Sequence, residues 1–101
     1  MQGISSGPSF GLSGKRILVT GGASGIGKAA CKIFTDLGAN VCLSDVKADA
    51  IVEAAAETGA RAHVAADVSV PDQAERLISE TVAELGGLDG LFHCAGIHHI
   101  G

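Results

Sequence analysis

Apolar residues gather in four short runs, Ile17 to Thr20, Val41 to Ser44, Arg61 to Ala65 and Leu88 to Cys94, each bounded by glycine or polar turns. Runs of this length and composition predict β-strands. Between the first two, Ile26, Ala29, Ala30, Ile33, Phe34 and Leu37 recur at offsets of three and four, which predicts a helix that buries them on one face and ends at Gly38. A second helix over 49–58 is expected to bury Ile51, Val52, Ala55 and Ala56 and to stop at Gly59. Its face is mostly alanine, so it packs closely and contributes little area.

The third helix has the clearest start. Ser69 reads as its N-cap with Asp72 three residues on, and Pro71 stands in the first turn, where no N–H is needed. Ala74, Leu77, Ile78, Thr81, Val82 and Leu85 mark its expected stripe before Gly86-Gly87. Strands alternating with helices imply right-handed crossovers and a parallel sheet, β-α-β-α-β-α-β. The fold class is therefore α/β, a partial Rossmann-type doubly wound sheet, with no internal repeat or second domain.

Candidate chemistry sits where the first strand gives way to the first helix, at Thr20-Gly21-Gly22-Ala23-Ser24-Gly25-Ile26-Gly27. Glycine lets a pyrophosphate approach the main chain, and the helix that follows points unpaired N–H groups at the anion. An acidic residue at the end of the next strand, Asp45, completes a dinucleotide-binding pattern. On this reading 1–13 form a flexible lead-in and 14–101 an incomplete dinucleotide-binding domain.

Composition narrows the partners. The 101 residues are 47% hydrophobic, as expected of one globular domain. Eleven acidic against seven basic residues give a net charge of −4 with no basic cluster, which argues against a nucleic-acid or anionic-membrane partner. No apolar run approaches the ~18 residues of a membrane span, and the first nine residues lack the basic start and apolar stretch of a secretion signal. Cys31, Cys42 and Cys94 are odd in number and widely spaced, which fits buried free thiols in the cytoplasm.

Four landmarks carry a resemblance to the amino-terminal, cofactor-binding half of the short-chain dehydrogenase/reductase family. They are Phe10-x-Leu12-x-Gly14-Lys15 before the first strand, Gly21-x-x-x-Gly25-x-Gly27, Asp67-Val68 after the third strand, and Leu88-Asp89-Gly90-Leu91-Phe92-His93-Cys94-Ala95-Gly96. The last resembles a family strand that usually ends Asn-Asn-Ala-Gly. His93 and Cys94 replace the two asparagines, so the side-chain bonds that tie neighbouring strands there are made differently or not at all. The resemblance also implies strand order 3-2-1-4, which leaves the fourth strand an open edge carrying Leu91 and Phe92 and one sheet face covered by a single helix.

The resemblance implies a set of cofactor contacts. Gly21, Ala23, Ser24, Gly25, Ile26 and Gly27 would meet the pyrophosphate, Ile26 giving an N–H to the ligand and a side chain to the core. Asp45 would meet the adenosine ribose, Asp67 and Val68 the adenine, Ala95 and Gly96 would lie where the cofactor passes the backbone, and Val46 and Cys94 complete the set of cofactor-binding residues. Asp45 can accept from both ribose hydroxyls and would repel a 2′-phosphate, so NAD is expected over NADP. Lys47 is the opposing signal. The competing reading of Asp67 is that it merely starts the turn into the third helix, a role expected to fall to Ser69. His93, Cys94, His98 and His99 match no zinc spacing, and no metal is expected.

In the family, hydride passes between a nicotinamide and an alcohol or carbonyl while a Tyr-x-x-x-Lys pair and a serine handle the proton and the carbonyl. This sequence contains no tyrosine, so no catalytic residue is assigned and the chain alone is expected to be inactive. Three readings stay open at this point: part of an NAD-dependent oxidoreductase, a non-catalytic or partner-completed dinucleotide module that could self-associate through the fourth strand, and a truncation product that does not fold.

Overall fold

A computed structural model describes residues 12–94. Its elements run β1 (Arg16–Thr20), α1 (Gly25–Asp36), β2 (Asn40–Asp45), α2 (Ala48–Thr58), β3 (Ala62–Ala65), α3 (Pro71–Leu85) and β4 (Gly90–His93). All strand pairs are parallel and the sheet order is β3-β2-β1-β4. The expected α/β topology is therefore present, and the sheet order matches the one the resemblance implied. β4 is shorter than the run from Leu88 to Cys94 suggested.

Two apolar layers sandwich the sheet. Ile17, Val19, Val41 and Leu43 face α1 and α2, packing with Cys31, Ile51, Ala54 and Ala55. Leu18, Cys42, Val64 and Ala66 face α3 and its Leu77. β1 and β2 are buried on both faces, which is why their sequences read as unbroken apolar runs. Full burial of a side chain such as Leu18, Leu43, Ile51 or Leu77 stabilises the fold by roughly 1.5–3 kcal/mol each.

The helix faces differ from those the periodicity suggested. α1 buries Gly27 and Cys31, while Ile26 and Ile33 are 54% and 57% exposed. The cause is Gly27: a Cβ there would overlap the Gly21 carbonyl oxygen and stand 2.8 Å from Gly22 Cα. The helix rides on that contact and turns Ile26 and Ile33 outward, while Phe34 stays half-buried against the core. α2 buries Ile51 and Ala55 as expected, but its other buried positions are Ala54 and Thr58, not Val52 and Ala56. Thr58 is accommodated because its hydroxyl donates to Ala54 O at 2.7 Å. In α3 only Leu77 and Thr81 are fully covered, and Ile78 and Val82 are each 40% exposed.

Ser69 is not the cap of α3. Val70 holds that position without a side-chain hydrogen bond, because the Ser69 hydroxyl donates instead to Asp67 Oδ1 at 2.6 Å. Pro71 and Asp72 do occupy the first turn. Glycine closes the helices as expected, with Gly59 and Gly86 in the left-handed conformation at φ 81° and 83°. Of the lead-in, positions 1–11, including Phe10, lie outside the described residues, and Leu12 packs against the α1/α2 core.

β4 forms the edge that the sheet order requires. Leu91, on the α3 face beside Leu18, is 59% exposed. Phe92 is not exposed in the same way: it is half-buried on the opposite face, meeting Phe34 edge-to-face with ring centroids 5.7 Å apart. A single helix, α3, covers its face among the described residues.

Candidate dinucleotide cleft

The phosphate loop is tied down from both ends. Gly21 takes φ +72°, which a side chain would resist, and the Gly22 N–H donates to Ser44 O at 2.8 Å, pinning the turn to β2. Ser24 caps α1, its hydroxyl accepting from the Gly27 N–H at 3.0 Å and donating to Gly21 O at 2.7 Å. Gly25 and Ile26 are the first two residues of α1, so their N–H groups have no partner within the helix. A Cβ on Gly25 would meet no protein atom within 4 Å. The protein itself does not demand glycine there; an anion lying close to the backbone would.

The strand ends and the loops after them enclose a cleft of about 340 Å³. Gly21, Ser24, Asp45, Val46, Asp67, Val68 and Cys94 line it, residues up to 73 positions apart in sequence, whereas Ala23, Gly25, Ile26 and Gly27 are not among its lining residues. Thr20, Ser44, Ala66 and Ser69 line it as well and were not expected. Ser44 had a readable signal, a hydroxyl in an otherwise apolar strand next to Asp45. Ala95 and Gly96 lie outside the described residues, as do His98 and His99.

Asp45 is half-buried and pre-set. Its Oδ2 accepts the Ala23 N–H at 3.0 Å and its Oδ1 accepts the Lys47 N–H at 3.1 Å. An ionised carboxylate has about four acceptor sites, so about two remain for incoming hydroxyls. At the opposite wall, Asp67 Oδ1 accepts both the N–H and the hydroxyl of Ser69, at 3.0 and 2.6 Å. These bonds hold the Asp67 carboxyl below its ordinary range. The turn into α3 is therefore organised by Asp67 rather than by a Ser69 cap.

His93 and Cys94 join the strands by different chemistry from a pair of asparagines. His93 Nδ1 lies 2.6 Å from Thr20 Oγ1, and the Cys94 thiol donates to Thr20 O at 2.9 Å. Cys94 is half-buried at the cleft, whereas Cys31 and Cys42 are buried within the two cores. Burial pushes both of those thiols up, away from reactivity.

A groove at the carboxyl ends of parallel strands, next to a glycine-rich helix start, is where open α/β sheets bind nucleotides. A diol dehydrogenase of Sphingobium indicum, described as acting on 2,5-dichloro-2,5-cyclohexadiene-1,4-diol, is 40% identical over 91 residues, covering 89% of this chain and 36% of that protein. Tropinone reductase-like 2 of Erythroxylum coca is 40% identical over 93 residues, covering 91% and 34%. A short chain dehydrogenase crystal structure from Mycobacterium smegmatis superposes with a TM-score of 0.81 at 33% identity, covering 85% of this chain and 38% of that one. The chain thus spans about a third of the length of the curated relatives it matches. The short chain dehydrogenase family model matches residues 15–101, and the chain belongs to that family, whose members use nicotinamide cofactors.

Proposed function

We propose that this chain is the NAD-binding part of an oxidoreductase that moves hydride between a nicotinamide and an alcohol or carbonyl substrate. The observation that carries the reading is the Asp45 carboxylate, oriented by two backbone amides at the rim of the glycine-loop cleft. Its remaining acceptor sites suit the two hydroxyls of an adenosine ribose, and its charge opposes a 2′-phosphate. Gly25 and Ile26 at the start of α1 present N–H groups and the positive end of the helix dipole to the pyrophosphate. Val46 and Val68 offer apolar contact to the adenine from opposite walls, with Asp67 accepting from its amino group.

When bound, the dinucleotide supplies the hydride chemistry. The chain's own residues bind and orient it. The 101 residues contain no tyrosine, so proton transfer by a Tyr-x-x-x-Lys pair is not among their roles, and the chain alone binds without turning over substrate. Three free thiols among the described residues favour a cytoplasmic setting. No described helix is long and apolar enough to cross a membrane.

Leu91, exposed on β4, which has no outer neighbouring strand among the described residues, favours a second feature of the same reading, self-association of the chain through that strand. The test of cofactor choice is parallel calorimetric titration with NAD and NADP. NAD is expected to bind at least ten-fold more tightly, and equal affinities would remove Asp45 as the selector.

A further inference from the structure

Ser44 Oγ is the buried side-chain polar atom among the described residues that has no hydrogen-bond partner. The residue is 1% exposed, ends β2 beside Asp45, and lines the cleft. Its register neighbours offer it nothing. Thr20 lies across β1 with its hydroxyl 2.6 Å from His93, and Val64 lies across β3. The core on the α3 side of the sheet, which includes Cys42, Val64 and Ala66, is apolar or thiol. A buried hydroxyl without a partner carries its full desolvation penalty, which an alanine at the same place would avoid.

That penalty has a use if a ligand relieves it. Serine reorients about one side-chain torsion, and because Oγ holds no bond in the free protein, turning it toward the cleft breaks nothing. We propose that Ser44 is a positioning residue for the adenosine half of the dinucleotide, its hydroxyl turning to hydrogen-bond that half when it fills the cleft. Adenine carries both ring-nitrogen acceptors and an exocyclic amino donor, so a hydroxyl finds a partner in either sense. The position fits that half of the ligand: Ser44 is next to Asp45 in β2 and shares the lining of the cleft with Ala66, Asp67 and Val68. The inference rests on the dinucleotide reading given above.

The test compares the 101-residue chain with Ser44→Ala, titrated separately with AMP and with nicotinamide mononucleotide by NMR. Ser44→Ala is expected to weaken AMP about five-fold and leave nicotinamide mononucleotide unchanged. An unchanged AMP affinity, or an equal loss for both ligands, overturns the proposal. Wild-type chain that binds neither ligand overturns the dinucleotide reading itself and this inference with it. Thermal melting of the free proteins gives a second readout: Ser44→Ala should melt at the same temperature or higher, and a lower melting point would show that the hydroxyl already has a structural partner.

Discussion

The backbone N–H of Ala23 donates to Asp45 Oδ2 at 3.0 Å, joining the glycine loop to the residue proposed above to select the ribose. One carboxylate thus braces the loop and, on the proposed reading, also meets the ribose. Asp45→Ala removes both roles, and should weaken NAD at least ten-fold by calorimetry, as expected for losing charge-assisted hydrogen bonds. Asp45→Asn keeps an acceptor for one amide but loses the charge. It should therefore narrow the gap between NAD and NADP more than it destabilises the fold.

Gly25 and Gly27 are two residues apart in one motif and should fail in different ways. An added methyl at Gly27 meets the Gly21–Gly22 backbone, so no side chain can swing aside to make room. Gly27→Ala should cost about 1–3 kcal/mol of stability in urea titrations and abolish binding with it. Gly25→Ala meets open space, so its melting temperature should hold while NAD affinity falls. Equal destabilisation by the two would contradict the assignment of Gly25 to ligand approach.

Arg16 and Asp89 predict the acid behaviour. The guanidinium grips the carboxylate through Nε at 2.8 Å and Nη2 at 3.1 Å, and the Arg16 N–H adds a bond of 2.8 Å. Asp89 is held down from 3.8 to about 2 by this partner. A lowered folded-state pKa means that the folded chain binds fewer protons than the unfolded one, so the contribution is complete above about pH 4 and is lost as pH falls toward 2. Asp89→Asn should flatten the melting temperature across that window. Exposure of both side chains keeps the effect modest.

Leu91 predicts concentration dependence. It stands 59% exposed on an edge strand whose outer backbone groups have no neighbouring strand among the described residues. Sedimentation should show association that rises with concentration and that Leu91→Lys reduces. A monomer at all concentrations would contradict self-association through β4.

Much of this architecture was legible because strand burial and turn chemistry are local. The runs Ile17 to Thr20 and Val41 to Ser44 read as strands from their length and bounding turns, and Gly59 and Gly86 stop their helices for steric reasons visible in sequence. The face of α1 was not legible in this way. Two overlapping stripes share the period, and the choice between Ile26/Ile33 and Gly27/Cys31 is made by a backbone contact between Gly27 and Gly21 that no hydropathy pattern encodes. The Ser69 cap failed similarly, because Asp67 competes for the same hydroxyl. Within the cleft, Asp45 announced itself by charge, whereas Ser44 became notable only once its neighbours were seen to leave it unpaired.

The most direct test of the central claim, that this chain carries a working dinucleotide cleft, is an amide NMR titration with NAD. The account predicts saturable shifts concentrated at Gly21 to Gly27, Asp45, Val46, Asp67 and Val68, with the outer face of α3 around Ala74 and Ile78 unmoved. Shifts centred elsewhere, or none in a folded chain at millimolar NAD, would contradict it.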